Sequence, residues 1–597
     1  MSSSSVAESI LVVDVGEINT RALLFDVVDG YYRFVASGSG PTTVGSPLHD
    51  VGHGVQMALD HLQDITGRVL VGEDERIKEP AHADGPGVDA FAVVMSAGAP
   101  LKVVVVGLQR DISVKSTQRL AETTYSQIVD TFYLNDHRNT QARLNSIVRL
   151  RPDIILIAGG TENGSRQSVL KLIEPVGLAC YLLPDELKPQ VLYAGNQALA
   201  KEVEALLMPL TSFTSAPNIR PTLEVERSEP AQAFLARVYR QSRIRQIPGV
   251  QELDTWAGGL LMPAATALGR MVRFLSLEDG SKGVLGVDVG VSATTIAAAF
   301  DGHLCLGVYP QYGLGDGSKV LMAQNNLRDI TRWLYIDIPD EEVRAYVYNK
   351  AIYPASLPAT ARDLAIEQAL ARQAIRLSLE KLAPCYQNDI TGPYPGGVLP
   401  RSSPAFEPII ASGSVLTNGR APSGRAPTAP ALAQSLLMLL DAIQPTGITT
   451  LILDQNNLVA ALGAAASINP TMAVQVMDSG ALLNLGAAIC PLSDVRMGTP
   501  VLRVHIHYES GSKEKFEIKK GELSVLPLAF EQAASLHLKP LHGADIGMGA
   551  GRGCRVNRVV GGALGLIIDA RGRPLRLPKD PAKRRALHIR WLRVLGG

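Results

Sequence analysis

A short apolar run that ends in Asp-Val-Gly occurs twice in this chain. Residues 10–25 read ILVVDVGEINTRALLF and residues 283–300 read GVLGVDVGVSATTIAAAF. Each copy is a β-branched run, an aspartate, a tight polar turn and a second apolar run, the pattern of a buried strand hairpin. Copies roughly 270 residues apart are too widely spaced for a solenoid and point to a duplicated domain. Between them strand and helix patterns alternate: 91–96, 102–107 and 153–158 read as buried strands, and 52–66 and 230–245 as helices. That alternation predicts α/β layers.

The expected division is a first lobe over 1–215, a linker and helical connection over 216–282, a second lobe over 283–498 and a β-rich module with a terminal helix over 499–597. Residues 209–223 (PLTSFTSAPNIRPTL) have three prolines and little periodicity, so they read as linker. Residues 419–430 (GRAPSGRAPTAP) read as a loop. In the last segment 502–508, 515–526 and 556–568 read as strands, and Asp580-Pro581 as a helix start.

Composition limits the partners. Lys plus Arg and Asp plus Glu are both 57, so net charge gives no reason to expect nucleic acid or an anionic membrane. No uncharged run is long enough to span a bilayer, and the first residues lack a basic, apolar leader pattern. The five dispersed cysteines form no CxxC and read as buried free thiols, with the cytoplasm as the expected compartment.

A strand that delivers an aspartate into a glycine turn can present backbone N–H groups to an anion while the carboxylate holds a metal-bound water. The candidate catalytic and magnesium-binding residues are therefore Asp14 and Asp288. The candidate phosphate-binding residues are Gly16, Glu17, Asn19 and Thr20 in the first loop and Gly290, Ser292 and Thr294 in the second. Two such hairpins facing across a cleft would clamp ATP with Mg2+. The run Ile409–Ser414 enters a Gly/Ser turn, which makes Ser412, Gly413 and Ser414 candidates for the nucleobase. Gly159, Gly160, Thr161 and Glu162, after the run DIILIA, are candidate cleft residues. Each motif alone is more often an ordinary turn. His505 and His507 stand two apart on a strand, which more often marks a shared exposed face than a metal site. The basic terminal helix, with Lys583, Arg585 and Arg590, reads as a solvated face with Trp591 packed inward.

With these motifs in hand, the chain resembles the actin, heat-shock chaperone and sugar kinase superfamily. More narrowly it resembles the glutamate mutase MutL family, which is distinct from the mismatch-repair protein of that name. The stretches that carry the resemblance are LVVDVGEINTRALLFDVVDG, RPDIILIAGGTENG, VLYAGNQ, NIRPTLEVE, VDVGVSATT and IIASGSVLTNG. The stretch from LHGADIGMGAGRG to GLIIDARGRPLRLP resembles the extra domain of longer members. The resemblance implies duplicated actin-like ATPase lobes and a role as an ATP-dependent reactivator or assembly chaperone of a cobalamin-dependent mutase such as glutamate mutase. A homo-oligomer is open to such a chain. The alternative is a nucleotide-binding scaffold without hydrolysis. A small-molecule kinase ranks last, because no general base presents itself.

The chain departs from the family pattern at Glu17 (usually Ser or Thr), Arg21 (usually Lys), Val291 (usually Gly) and Glu162 (usually Asp). A carboxylate at position 17 can accept but not donate hydrogen bonds, and would repel phosphate if it pointed inward. Val291 would resist a positive φ. Weak ATP turnover is the expectation.

Overall fold

The structure, a computed structural model, describes residues 7–74, 76–81, 85–278, 282–387, 405–417 and 427–597. The expected loop 419–430 lies outside the described residues up to 426. Ten strands precede residue 264: β1 (Ile10–Val15), β2 (Asn19–Val28), β3 (Tyr31–Pro41), β4 (Ala90–Met95), β5 (Leu101–Val106), β6 (Ser126–Phe132), β7 (Ile154–Ile157), β8 (Gln190–Tyr193), β9 (Phe213–Ser215) and β10 (Met262–Pro263). They form two sheets, β10-β4-β1-β2-β3 and β6-β5-β7-β8-β9. In the first, β1 and β3 run antiparallel to β2, and β4 and β10 run parallel to β1. The second sheet is parallel throughout.

The remaining strands are β11 (Gly283–Val289), β12 (Thr294–Phe300), β13 (His303–Tyr309), β14 (Phe406–Ser412), β15 (Gly447–Leu453), β16 (Leu483–Cys490), β17 (Pro500–Tyr508), β18 (Lys513–Lys519), β19 (Leu523–Leu526), β20 (Ala533–Pro540), β21 (Cys554–Val560) and β22 (Leu566–Asp569). They form an eight-stranded sheet, β13-β12-β11-β14-β15-β16-β22-β19, and a four-stranded sheet, β18-β17-β20-β21. The order β13-β12-β11-β14-β15 repeats β3-β2-β1-β4-β10, with β11 antiparallel to β12 and parallel to β14, as β1 is to β2 and β4. The duplication seen in the hairpins extends to five strands.

The chain divides into two compact units: Met1–Ala267 with Leu306–Pro310 and Ala460–Ala473, and Leu268–Cys305 with Gln311–Val459 and Val474–Gly597. Residues 216–267 sit with the first unit and 499–597 with the second. The supposed linker 209–223 carries β9, the edge strand of the parallel sheet. Its prolines lie outside the strand's three residues, which pair with β8. The expected single strand 556–568 is two strands in different sheets, because Gly561, Gly562 and Gly565 break the run.

The C-terminal segment is built into the second unit. β22 lies beside β16 and carries β19 on its other side. Buried Asp569, at the end of β22, holds Arg571 and Arg573, both at 2.9 Å. Arg571 also reaches buried Asp441, at 2.8 Å, which is paired with Arg372 at 3.1 Å. These charges join the helices Ala361–Gln387 and Ala429–Ile443 to the chain's end. The helix Pro581–Val594, capped by the Asp580 side chain as expected, lays Trp591 under the Arg571 guanidinium at 4.4 Å.

The cysteine expectation is corrected at one pair. Cys305, in β13, and Cys385, in the helix Ala361–Gln387, form a disulfide with Cα atoms 6.0 Å apart. Spacing gave no sign of it, since the partners are 80 residues apart and meet because that helix packs on the sheet. Cys180 and Cys490 are buried free thiols, and Cys554 is only half-buried.

Two outcomes test this packing. Asp441→Ala leaves the buried Arg372 without its carboxylate and Arg571 with Asp569 alone, and should cost roughly 3–5 kcal/mol in urea denaturation. His588, between Trp333 and Trp591, has its pKa pushed down to about 4, chiefly by burial. The unfolded chain then binds the extra proton first. The histidine's contribution is complete above its unfolded pKa of about 6.5 and is lost as pH falls toward 4. Stability measured across that window should fall in the wild type, with a shallower slope in His588→Phe.

Candidate nucleotide site

Both hairpin turns close in the same way. β1 and β2 pair through Val15 and Thr20, and the Gly16 N–H donates to the Asn19 carbonyl at 3.1 Å. β11 and β12 pair through Val289 and Thr294, and the Gly290 N–H donates to the Ala293 carbonyl at 2.9 Å. A Cβ on Gly16 would lie 2.8 Å from the Asn19 oxygen, so the turn needs glycine there. The Gly16 and Gly290 N–H groups, expected to face phosphate, are engaged in closing the turns. Glu17–Asn19 and Val291–Ala293 make up the rest of each turn.

The turns are also held from behind. Thr42 donates its hydroxyl to the Gly16 carbonyl at 2.7 Å and its N–H to the Ile18 carbonyl at 2.8 Å. In the second copy the Leu314 and Gly315 N–H groups donate to the Gly290 and Val291 carbonyls, both at 3.0 Å. Thr20 and Thr294 are fully buried. The Thr20 hydroxyl meets that of Thr42 at 2.9 Å, and the Thr294 hydroxyl donates to the Tyr312 carbonyl at 2.8 Å. Their hydroxyls serve the scaffold.

The departures from the family pattern sit differently from their expected effects. Asp14 faces Arg21 across the hairpin, with the guanidinium 3.4 Å from the carboxylate. Glu17 is exposed and accepts a hydrogen bond from the Gly98 N–H at 2.9 Å. Its carboxylate is thus turned to the loop after β4, and Arg21 attends Asp14 instead. Val291 is not among the residues with positive φ, so the feared strain is absent. Its side chain packs where Gly315 has no Cβ, a point at which a Cβ would come within 2.8 Å of Val291 Cγ1.

The Ser412–Ser414 turn joins the second hairpin. Ser412 stands opposite Asp288 in the β11/β14 register. Gly413 has φ +102°, and a Cβ there would lie 2.2 Å from the Val289 carbonyl oxygen. Ser414 starts a short helical turn, Ser414–Thr417. Sequence reasoning missed Asp454, which follows β15. It accepts from the Ser412 hydroxyl at 2.8 Å and from the Leu458 and Val459 N–H groups at 2.7 and 2.9 Å. The run LILD has the same apolar-strand-to-aspartate form as ILVVD, and that signal could have found it.

Gly159–Glu162 follow β7 in the parallel sheet, not the sheet of Asp14. Gly159 and Gly160 have φ +155° and +76°. Asn218 Nδ2 donates to the Gly160 carbonyl at 3.1 Å and to Glu162 Oε1 at 2.7 Å. Glu162 also accepts from the Gln197 N–H at 3.2 Å. Thr161 closes this turn through its carbonyl, which takes the Gly164 N–H at 2.9 Å. The NIRP and AGNQ stretches thus meet GGTEN around β7.

Among the described residues no three His, Cys, Asp or Glu side chains are grouped to hold a metal. A magnesium ion held through one carboxylate, waters and substrate phosphates needs no such cage. Asp14 and Asp288, each at the end of a strand beside turn amides, are residues of the right type.

A duplicated β3-β2-β1-β4-β10 arrangement with an aspartate and a glycine turn at each hairpin defines an actin-like α/β protein. The chain belongs to the MutL protein family, whose model matches residues 10–480. It is 22% identical over 306 residues to Protein MutL of Clostridium tetanomorphum, a match over 48% of this chain and 64% of that protein. Among solved structures it is similar to the nucleotide-free acetone carboxylase (11% identity, 86% of this chain and 81% of that one, TM-score 0.27). It is also similar to component A of Acidaminococcus fermentans (R)-2-hydroxyglutaryl-CoA dehydratase (7%, 78% and 99%, 0.24) and to Bifidobacterium adolescentis xylulose kinase (11%, 81% and 96%, 0.28). These superpositions are low, and the fold is defined by the strand order given above. No helix among the described residues is long and apolar enough to cross a membrane.

The geometry at Gly413 gives a direct test. Gly413→Ala should destabilise the protein by about 2 kcal/mol or more, because both its φ and the Val289 backbone oppose a Cβ. Gly480→Ala, at φ +77° with nothing within 4 Å, should cost about 1 kcal/mol in the same denaturation assay.

Proposed function

We propose that this protein binds Mg-ATP through its two hairpins and uses it to reactivate or assemble a cobalamin-dependent carbon-skeleton mutase such as glutamate mutase. The observation that carries the nucleotide half is the repeated turn, with Gly16 and Gly290 closing the same four-residue loop next to Asp14 and Asp288. In this reading the Glu17–Asn19 and Val291–Ala293 amides take the phosphates. Asp14 and Asp288 orient the magnesium and its waters, and the Ser412–Ser414 turn lies by the base. Membership of the MutL family supports the mutase half. By linkage, a mutase whose affinity changes with ATP must change the affinity for ATP by the same factor.

A scaffold that binds ATP without hydrolysing it is the second reading, favoured by Glu17. A carboxylate on the Gly98 amide uses a donor beside the first turn and keeps a negative charge there. In the family pattern a neutral hydroxyl stands at this place.

Calorimetry with Mg-ATP should show binding by the wild type and at least ~tenfold weaker binding by the Asp14→Asn, Asp288→Asn double variant. Equal binding by both would sink the assignment of the two aspartates. Glu17→Ser should raise ATP turnover several-fold. Unchanged turnover, with unchanged affinity, would show that Glu17 sets neither.

A further inference from the structure

The sheet β18-β17-β20-β21 has one face in the core and the other in solvent. Leu502, Val504, Ile506, Leu536 and Leu538 fill the inner face, each at most 1% exposed. The alternate positions point outward and are basic. Lys515, His505, His537 and Arg555 stand opposite one another in a single row across all four strands. Beside that row Arg503 faces Lys539, and His507 faces Lys513. Glu517, bonded to Arg503 at 3.0 Å, is the one acid in these rows.

Like charges set opposite one another in a sheet are destabilising. The crowding registers at His505. Burial first, and then the charges of Lys515, His537, Arg503 and His507, hold its pKa below the ordinary histidine value. The His505 and His537 rings lie 5.7 Å apart. Lysines on an outer strand guard against edge pairing, which accounts for Lys513 and Lys515 on β18. It does not account for Arg503, His505 and His507 on β17, or for His537 and Lys539 on β20. Those two strands are interior to the sheet and have no open edge.

We propose that this face docks an acidic protein segment, with its Asp and Glu carboxylates laid across the Lys515–His505–His537–Arg555 row. Carboxylates of a protein segment fit better than nucleic acid, because the chain as a whole balances 57 basic against 57 acidic side chains and has no net positive charge to draw a polyanion. The inference stands on the sheet alone and does not require nucleotide binding.

The test uses the full chain and fluorescent poly-L-glutamate, read by anisotropy. The wild type should bind, and more weakly as salt rises. His537→Glu with Arg555→Glu should weaken binding at least ~tenfold with an unchanged unfolding temperature. His505→Gln with Lys539→Gln removes charge without reversing it. That pair should weaken binding a few-fold, and it serves if the reversed pair unfolds. Lys583→Glu with Arg590→Glu, on the terminal helix, should leave binding unchanged. The proposal is overturned if the wild type does not bind, or if the sheet variants bind as the wild type does. It is also overturned if the helix pair loses as much as the sheet pair, or if single-stranded RNA or polyphosphate of matched charge binds more tightly than polyglutamate.

Discussion

The candidate site depends on one backbone hydrogen bond made twice: a glycine N–H closing a four-residue turn onto the carbonyl three residues on. The strands leading into the turns, β1 and β11, are almost wholly buried, so they have little freedom to shift register. Each strand therefore delivers its aspartate to a fixed place. Because the turn carbonyls are bonded from behind, by Thr42 in one copy and by Leu314 and Gly315 in the other, the loops keep their shape without a ligand. In the proposed function such a loop would pay less to bind an anion, because it need not be ordered first.

The second copy is reinforced by parts of the chain far away in sequence. Its sheet continues past β15 into β16, β22 and β19, the last two drawn from the C-terminal segment. The ion network of Asp441, Arg372, Arg571 and Asp569 is buried, and such networks are conditional: each charge is tolerable only while its partners are present. The C-terminal segment therefore acts as a structural part of the second unit. What it offers outward is the solvent face of the four-stranded sheet.

Much of this was legible in the sequence because hairpins and amphipathic helices are local. The first hairpin, the helix Gly52–Thr66 and the Asp580 cap follow from neighbours within a few residues. The duplication was legible for the same reason. What was not legible depends on pairing between distant strands. Alternating strands and helices do not say that β5–β9 form a sheet separate from β1–β4, or that GGTEN follows a strand of that second sheet. The Cys305–Cys385 bridge and the split of 556–568 between two sheets are of the same kind. At the candidate site, residue types did not give the directions of the groups. Glu17 found the Gly98 amide, and the threonine hydroxyls turned to the scaffold.

Amide hydrogen exchange with and without saturating Mg-ATP tests the central claim most directly, because it reads every turn at once. The account predicts slowed exchange in three short segments, 17–19, 291–293 and 412–414, with the GGTEN turn at 159–163 unchanged. Protection confined to 159–163, or none at all under conditions where ATP is bound, would contradict it.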